Sequence, residues 1–320
     1  MTQTLTQQVL ARKQFPFIDL KAQQALLRAK IDAAIEKVLD HGMYIMGPEV
    51  YELENKLAEF CGVKHAIACA NGTDALILAL MAKRLGPRDA VFLPSFTFAA
   101  TAEAVALQGA QIIFVDSLDY TFNIDPVSLE QGIKTAISAG LKPVGIIPVD
   151  LFGQPADYAA LQTIADEHKL WILADCAQSF GATYQGRKVG NIGDIATTSF
   201  FPAKPLGCYG DGGAVFTNCD ETAEIIKSLR IHGQGADKYQ NLRIGLNSRL
   251  DSIQAAVLLE KLKIFPDELR ARQTIAQKYN SSLQEYAITP NVLSGVTSTW
   301  AQYTIRLTHG VDRTLLMTAL

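Results

Sequence analysis

Long hydrophobic runs are absent from this sequence, although nearly half of its residues are hydrophobic. The 320-residue chain is 48% hydrophobic, yet no run approaches the roughly 18 consecutive apolar residues that span a bilayer. The first 14 residues, MTQTLTQQVLARKQ, also lack the basic start and apolar segment of an export signal. We therefore expect a cytoplasmic protein that does not insert into a membrane.

A concentrated basic surface is also missing. The sequence has 29 Lys and Arg against 32 Asp and Glu, a formal net charge of -3, and its basic residues are scattered. Proteins that bind nucleic acid need a clustered positive field, so we expect no nucleic acid partner. The length suits about two domains around a large, well-buried α/β core.

Cysteine is scarce, and its five positions form neither a C-x-x-C pair nor a cluster with histidine. The residues are Cys61, Cys69, Cys176, Cys208 and Cys219. We interpret them as reduced thiols that pack in apolar or glycine-rich segments. We therefore predict no metal site. A reactive thiol stays an alternative for Cys176 and Cys208, which flank the site proposed below.

Two common catalytic motifs are missing as well. No G-x-G-x-x-G follows the first predicted strand, which argues against a Rossmann dehydrogenase. No G-x-S-x-G is present, and His168 and His232 lie in ordinary surroundings, so nucleophilic hydrolysis is not indicated.

What the sequence does contain is a lysine in an unusual turn. The apolar strand predicted at Ala196–Phe200 leads to Lys204, and a second strand is predicted at Ala214–Thr217. The turn between them carries two prolines and four glycines: Pro202, Pro205, Gly207, Gly210, Gly212 and Gly213. An ammonium held between apolar strands either lowers its pKa or enters a covalent bond such as a Schiff base. The alternative is a surface hairpin whose lysine points to water.

A second stretch, WILADCAQSFGA, places Asp175 directly after an apolar strand, with Gln178 three residues later. Open α/β sheets bind ligands at the carboxyl ends of their parallel strands. In a pyridoxal phosphate site, a carboxylate at this point keeps the pyridine nitrogen protonated, so that the ring withdraws electrons. A helix cap or turn acid is the alternative for Asp175.

Two further segments suit a phosphate and a flat ring. Gly72 and Thr73 follow the short strand His65–Ala70 and open a helix, where backbone N–H groups and a hydroxyl attract phosphate. Phe98 in PSFTFAAT is positioned to stack on an aromatic ring. An ordinary helix cap and a core phenylalanine are the respective alternatives.

Five islands of sequence, in this order and spacing, resemble the DegT family of nucleotide-sugar aminotransferases. They are ANGTDAL (Ala70–Leu76), PSFTFAATAEAV (Pro94–Val105), DCAQSFGA (Asp175–Ala182), SFFPAKPLGCYGDGGA (Ser199–Ala214) and GLNSRLDSIQAA (Gly245–Ala256). The resemblance runs from about Phe15 to the last residue. The last two islands look most like the subgroup that aminates UDP-2-acetamido-2-deoxy-3-oxo-glucuronate.

The resemblance implies roles for individual residues around pyridoxal 5'-phosphate. Lys204 would hold the cofactor and shuttle a proton, and Asp175 would keep its ring charged. Gln178 would bond the phenolic oxygen, and Phe98 would cover the ring. Thr73, with Gly72 and Ser199, would bind the phosphate.

The resemblance also implies a homodimer with shared active sites. Asn247 and Arg249 lie in a polar loop of some 20 residues, and a loop of this length in a compact enzyme usually has a function. Asn247 would reach the partner's cofactor phosphate, and Arg249 an anionic group of the sugar nucleotide, for which a planar guanidinium is well suited. An interface salt bridge is the alternative for Arg249.

The order of elements predicts an α/β fold with a mostly parallel sheet flanked by helices. The predicted strands include Gln111–Val115, Val144–Val149 and Leu170–Ala174, and the predicted helices Pro126–Ala139 and Tyr158–His168. The resemblance implies that this is the aspartate-aminotransferase-like fold, type I, of pyridoxal phosphate enzymes.

We predict three parts: an N-terminal extension (1–14), a large cofactor-binding domain (15–255) and the start of a smaller α+β domain (256–320). Two helices are predicted at Asp251–Phe265 and Pro266–Leu283, leading to the body of the smaller domain near Ile288, which contains a strand at Ala301–Leu307. Family members continue for several dozen residues, so the resemblance implies a truncated C-terminal domain.

The function expected is transamination of a nucleotide-linked keto sugar with L-glutamate, for cell-surface polysaccharide such as the lipopolysaccharide O-antigen. The alternatives are a 3-keto or 4-keto dTDP-sugar aminotransferase and a truncated, catalytically silent regulator that binds the cofactor. A sugar dehydratase of the same fold would carry histidine in place of Lys204.

Overall fold

The computed structural model describes residues 16–237 and 239–319, so the predicted extension at 1–14 lies outside the described residues. The helices are α1 (Leu20–His41), α2 (Pro48–Cys61), α3 (Gly72–Lys83), α4 (Ala99–Leu107), α5 (Pro126–Ser138), α6 (Tyr158–His168), α7 (Asp220–Leu229), α8 (Ser252–Leu283) and α9 (Arg313–Ala319). The strands are β1 (His65–Cys69), β2 (Asp89–Pro94), β3 (Gln111–Val115), β4 (Lys142–Ile146), β5 (Trp171–Asp175), β6 (Thr183–Tyr184), β7 (Arg187–Lys188), β8 (Ile195–Ser199), β9 (Gly213–Thr217), β10 (Ala287–Ile288), β11 (Val296–Thr297) and β12 (Arg306–Leu307).

Seven of these strands form one sheet in the order β1-β9-β8-β5-β4-β2-β3. Strand β9 runs antiparallel to both of its neighbours, and the other pairs are parallel. The predicted mostly parallel sheet is therefore confirmed. Because parallel strands end at the same edge, residues that follow β5 and β8 are brought together there.

Helices cover both faces of this sheet, as the sequence predicts. Side chains alternate between faces along each strand: Ala66 and Ala68 of β1 belong to the core beneath α2, α5, α6 and α8. Ile67 and Cys69 belong to the core beneath α3, α4 and α7. All five residues of β9 are buried, as expected for a strand with helices on both sides.

Local signals explain where the helices that shape the site begin. Helix α3 starts after Asn71, whose side-chain oxygen accepts a hydrogen bond from the N–H of Asp74 (2.8 Å). This cap satisfies one of the first-turn amides that have no partner inside the helix. Helix α2 opens with Pro48, where a missing N–H costs nothing because first-turn amides have no partner inside the helix.

Two predictions of local structure are wrong. The helices predicted on either side of Pro266 are one continuous helix, α8. A proline removes one backbone hydrogen bond, but Phe265 beside it is fully buried against the aromatic rings of Phe60 and Phe180, so packing holds the helix together. The strand predicted at Ala301–Leu307 is confined to Arg306–Leu307.

The C-terminal region, defined here as residues 284–319, consists of three two-residue strands, loops and α9. Strand β11 pairs with β6 in a three-stranded sheet of β11, β6 and β7 that is separate from the seven-stranded sheet. Helix α9 has no buried residue. The domain boundary between residues 255 and 256 stays a prediction, and α8 runs across it. Among the described residues, no helix is both long and apolar enough to cross a lipid bilayer.

Candidate active site

A cavity of about 490 Å³ opens at the edge of the sheet where β5 and β8 end. Seven of the predicted site residues line it together: Gly72, Thr73, Phe98, Asp175, Gln178, Ser199 and Lys204. They come from four of the five sequence islands. The topology explains this meeting, because β5 and β8 are parallel neighbours and α3 begins beside the end of β8.

Asp175 is the last residue of β5 and only 7% exposed. Its carboxylate accepts hydrogen bonds from the N–H of Ala177 (3.1 Å) and the hydroxyl of Thr101 (3.3 Å). Burial raises the pKa of Asp175, and the Ala177 N–H, the positive charge of Lys204 and the Thr101 hydroxyl oppose that rise. The acid is thus held by fixed donors and largely removed from solvent.

Lys204 lines the same cavity, which contradicts the alternative of a hairpin whose lysine points to water. The lysine lies in a tight turn in which its N–H donates to the carbonyl of Phe201 (2.8 Å). Burial lowers the pKa of Lys204, and the negative charge of Asp175 partly restores it. A lowered pKa makes the amine a better nucleophile and base near neutral pH.

The start of α3 and the end of β8 form a candidate anion site. Asn71 already satisfies the amide of Asp74, which leaves Gly72 and Thr73 without an acceptor inside the helix. Gly72 lies so close to β8 that a Cβ built on it would be 2.6 Å from Ser199 Cβ. A glycine is therefore required for the backbone of α3 and the side chain of Ser199 to share this corner.

Gln178 and Phe98 border the cavity on either side of Asp175. The N–H of Phe152 donates to Gln178 Oε1 (2.7 Å), so the side-chain NH2 of Gln178 is the group left to donate to a ligand. Phe98 is 72% exposed, so it is not the core residue that was its alternative. An exposed ring at the mouth of a cavity is suited to covering a planar ligand.

Residues 26–320 match the DegT/DnrJ/EryC1/StrS aminotransferase family. The chain belongs to this family. It is 51% identical over 292 residues to the UDP-2-acetamido-2-deoxy-3-oxo-D-glucuronate aminotransferase of Pseudomonas aeruginosa, covering 91% of this chain and 79% of that protein. The predicted family is thereby confirmed, and the protein is an aminotransferase.

Solved structures agree with the fold. An aminotransferase of the same family from Brucella abortus is 52% identical and has a TM-score of 0.91, with 92% of this chain and 80% of that chain covered. NtdA from Bacillus subtilis with bound cofactor PMP is 30% identical and has a TM-score of 0.87, with 96% of this chain and 70% of that chain covered. The type I fold is confirmed by these neighbours.

Two predicted site residues of this aminotransferase do not line the cavity. Asn247 is exposed, and its backbone pairs with Ile231. Arg249 is half-buried, and its Nε has no hydrogen-bond partner within the described residues. Within one chain, therefore, neither residue reaches the cavity formed by the other seven.

Sequence reasoning missed several residues that line the cavity, notably Asn71, Thr101, Phe201 and Asp211. Thr101 could have been found, because it lies in the first turn of the helix that follows Phe98 and can face the same ligand. Asp211 follows the lysine turn within the GDGG segment. No local pattern separates it from an ordinary loop acid.

Sequence reasoning also assigned no role to Asp150, which is fully buried beside the site. Its carboxylate accepts hydrogen bonds from the Ala156 N–H (2.9 Å), the Tyr158 hydroxyl (2.8 Å) and the Ser179 hydroxyl (2.6 Å). Burial raises the pKa of Asp150 to about 7, with a smaller contribution from the charge of Asp175. Asp150 thus ties the segment after Asp175 to the start of α6.

Most of the cysteines are packed in the interior. Four are buried, and Cys219 is exposed. Burial raises the pKa of the Cys61 thiol to about 12 and that of Cys176 well above its ordinary value. Since the thiolate is the reactive form, these two thiols are unreactive at neutral pH. Within residues 16–237 and 239–319 there is no group of three or more metal-ligating side chains.

Proposed function

We propose that this protein transfers an amino group from L-glutamate to UDP-2-acetamido-2-deoxy-3-oxo-glucuronate, with pyridoxal 5'-phosphate as cofactor. The observation that carries the proposal is a single cavity in which the amine of Lys204 and the carboxylate of Asp175 shift each other's pKa. The proposed setting is the cytoplasm, where the product would serve O-antigen or other cell-surface polysaccharide synthesis.

The residues around the cavity fit the cofactor group by group. Gly72, Thr73 and Ser199 would bind its phosphate, because first-turn amides and a hydroxyl attract an anion. Asp175 would accept a hydrogen bond from the protonated ring nitrogen, and Gln178 would donate to the phenolic oxygen. Phe98 would cover one face of the ring. When bound, the cofactor withdraws electrons from the carbon that loses a proton.

Lys204 would hold the cofactor covalently and, once released, move a proton at the α-carbon of the amino donor. An ordinary lysine is protonated at neutral pH and cannot act as a base. Burial lowers the pKa of Lys204, which increases the fraction of neutral amine. Asp175 has the opposite task, because it must stay charged to keep the ring nitrogen protonated. Its three opposing contributions, from Ala177, Lys204 and Thr101, favour that charged state.

Substrate binding would be shared between two copies of the chain. Arg249 carries a half-buried guanidinium whose Nε lacks a partner within the described residues, and Asn247 is exposed. The same loop exposes two large apolar side chains, Leu242 and Ile244, the latter 89% exposed. Exposed apolar side chains beside unpaired polar groups are typical of a protein interface. We propose that the loop enters the partner's site.

The carboxylate of the glucuronate ring is the group that distinguishes the proposed substrate from neutral sugars. Arg249 would bind it or the diphosphate, because a guanidinium pairs with both in a bidentate manner. The 51% identity to an aminotransferase that acts on this sugar supports the choice. An enzyme for 3-keto or 4-keto dTDP-sugars, and a silent regulator that binds the cofactor, remain the competing functions.

The decisive experiment is to incubate the purified protein with L-glutamate and a panel of 3-oxo and 4-oxo UDP- and dTDP-sugars. We expect 2-oxoglutarate to form fastest with the UDP-3-oxo-glucuronate derivative. The matching 3-oxo sugar without the carboxylate tests the part assigned to Arg249. A preference for a dTDP-sugar would identify the other class of substrate. No 2-oxoglutarate with any sugar would contradict the proposal.

Mixing two inactive variants tests whether sites are shared. Lys204→Ala and Arg249→Ala should each inactivate a homodimer, but with shared sites a mixed dimer would contain one site in which both residues are intact. We expect activity to appear after subunit exchange. The matched control is Lys204→Ala mixed with Asp175→Ala, because these two residues belong to one cavity of one chain. Equal activity in both mixtures, or none in the first, would contradict a shared site.

A further inference from the structure

Lys261 is buried beneath the turn that carries Lys204. It lies on α8 and is 1% exposed, and no other lysine among the described residues is buried. In the sequence it sits in the segment LEKLKIF, which looks like an ordinary charged helix surface. A fully buried ammonium is costly unless strong partners compensate for lost hydration.

The partners of Lys261 are a carbonyl and a ring rather than a carboxylate. Its Nζ donates to the carbonyl of Gly207 (2.7 Å) and lies 4.4 Å from the centre of the Tyr209 ring. Within the described residues it forms no salt bridge. Burial lowers the pKa of Lys261 to about 8, so the amine still carries its proton at neutral pH. A charged donor strengthens the bond to the carbonyl.

Gly207 is packed directly against the backbone that precedes Lys204. A Cβ built on Gly207 would lie 2.5 Å from the carbonyl oxygen of Pro202 and 2.6 Å from that of Phe201. Phe201 also accepts the N–H of Lys204 (2.8 Å). A shift of Gly207 would therefore also shift the peptide groups of Phe201 and Pro202, which precede Lys204 in the turn.

Helix α8 holds the same turn at a second point. The N–H of Tyr209 donates to Gln254 Oε1 (2.8 Å). Tyr209 follows Gly207 by two residues, and Gln254 precedes Lys261 on α8 by seven residues. Tyr209 thus has its backbone fixed by Gln254 and its ring covered by Lys261. The cofactor turn is consequently attached to a helix that lies across the domain boundary expected from the sequence.

We propose that Lys261 is a positioning residue whose bond to the Gly207 carbonyl holds Lys204 in the place from which its amine faces Asp175. The inference rests on the assignment of Lys204 as the cofactor-binding lysine. It assigns a function to a buried charge that takes no part in the proposed chemistry.

The test compares Lys261→Met with Lys263→Met, a neighbour on α8 whose amine pairs with Glu260 at the surface. The full-length chain, freed of cofactor, is mixed with pyridoxal phosphate, and the rate of the adduct on Lys204 is followed by borohydride trapping and peptide mapping. Turnover number, KM for glutamate and melting temperature are measured in parallel.

We expect Lys261→Met to slow trapping on Lys204 and the turnover number about 10-fold each, because acid–base efficiency depends on position. The KM for glutamate should change less than about 2-fold. Lys261→Arg, which retains a charged donor, should recover most of the trapping rate. A trapping rate in Lys261→Met equal to that in Lys263→Met would overturn the proposal.

The unaltered protein separates this inference from the proposed function. If neither it nor Lys263→Met gives an adduct on Lys204, the cofactor role of Lys204 is wrong and the inference fails with it. If both give the adduct at the same rate as Lys261→Met, the inference alone is wrong. If Lys261→Met does not fold, Tyr209→Leu removes the ring partner instead. Slower trapping on Lys204 in that variant supports the proposal, and an unchanged rate contradicts it.

Discussion

Strands β9 and β12 illustrate two regions of this molecule that are built differently. All five residues of β9 are buried, and the strand pairs on both sides within the seven-stranded sheet. Strand β12 has two half-buried residues and, among the described residues, pairs with β10 alone. The seven-stranded sheet, called the sheet region here, is packed between helices on both faces. The C-terminal region, in contrast, has few buried side chains among its described residues.

The difference shows why the candidate active site is built on the sheet. Catalytic groups must be held by packing and hydrogen bonds, and only the sheet region supplies such support on every side. The C-terminal region nevertheless contacts the segments beside the site, notably through Thr299. Thr299 donates through its hydroxyl to the carbonyl of Gln178 (2.6 Å) and through its N–H to the carbonyl of Gly153 (3.0 Å).

The largest effect should follow from changing the sheet-region lysine. Lys204→Ala removes the amine proposed to hold the cofactor, so we expect turnover to fall about 10³-fold while the melting temperature stays nearly constant. Lys188→Ala is the matched control, because burial also lowers the pKa of Lys188, on β7, but Lys188 does not line the cavity. Equal losses of turnover in the two variants would contradict the proposal that Lys204 holds the cofactor.

The next largest effect is expected at the contact between Gly153 and Thr299, one of those that join the two regions. A Cβ on Gly153 would lie 2.4 Å from Thr299 Oγ1, and the residue has φ of +108°. We expect Gly153→Ala to lower the free energy of unfolding by about 3 kcal/mol. Gly140→Ala, at φ +75° with no atom within 4 Å, isolates backbone strain and should cost about 1 kcal/mol. Urea unfolding measures both, and similar losses would show that the contact with Thr299 contributes nothing.

A pH-dependent effect should also distinguish the sheet region. Burial raises the pKa of Asp150 to about 7 in the folded state, above that of an unfolded aspartate, so the folded protein binds the extra proton. This contribution to stability is complete at low pH and is lost as the pH rises through about 7.

Relative to Asp150→Asn, the original protein should therefore lose about 2 kcal/mol between pH 5 and pH 7, from about 1.4 kcal/mol per unit of pH. Parallel urea unfolding curves at the two pH values measure the difference. A difference that does not depend on pH would show that Asp150 keeps its charge in the folded state.

The smallest effect is expected in the C-terminal region. Leu315 on α9 is 71% exposed, so Leu315→Ala should change the free energy of unfolding by less than about 0.5 kcal/mol. The same substitution at Leu53, which is fully buried in α2, should cost about 3 kcal/mol. Equal costs at the two positions would show that α9 contributes to the core as much as α2 does.

Much of the site could be predicted because its residues carry local signals. Asp175 follows an apolar strand, Gly72 opens a helix, and Lys204 lies in a turn rich in glycine and proline, so each position can be read from its neighbours in the chain. Asn247 and Arg249 were predicted from family resemblance, and within one chain they stay outside the cavity. Their proposed task depends on a second copy.

Other features could not be predicted, because they depend on residues distant in the sequence. Pro266 signals a helix end, yet packing of Phe265 against Phe60 and Phe180 carries α8 through it. In the sequence Lys261 looks like a surface charge. In the structure it is covered by the turn that carries Lys204, because Gly207 of that turn, 54 residues earlier, accepts a hydrogen bond from its amine.

The sequence by itself determined the alternation of strands and helices, the family, and seven of the residues that line the candidate site, since these follow from local periodicity and short motifs. Only the tertiary structure decided which acids are buried, which amine has a lowered pKa, and which helix supports the lysine turn. Burial and electrostatic shifts depend on everything packed around a group, and the sheet assembles those neighbours from the whole length of the chain.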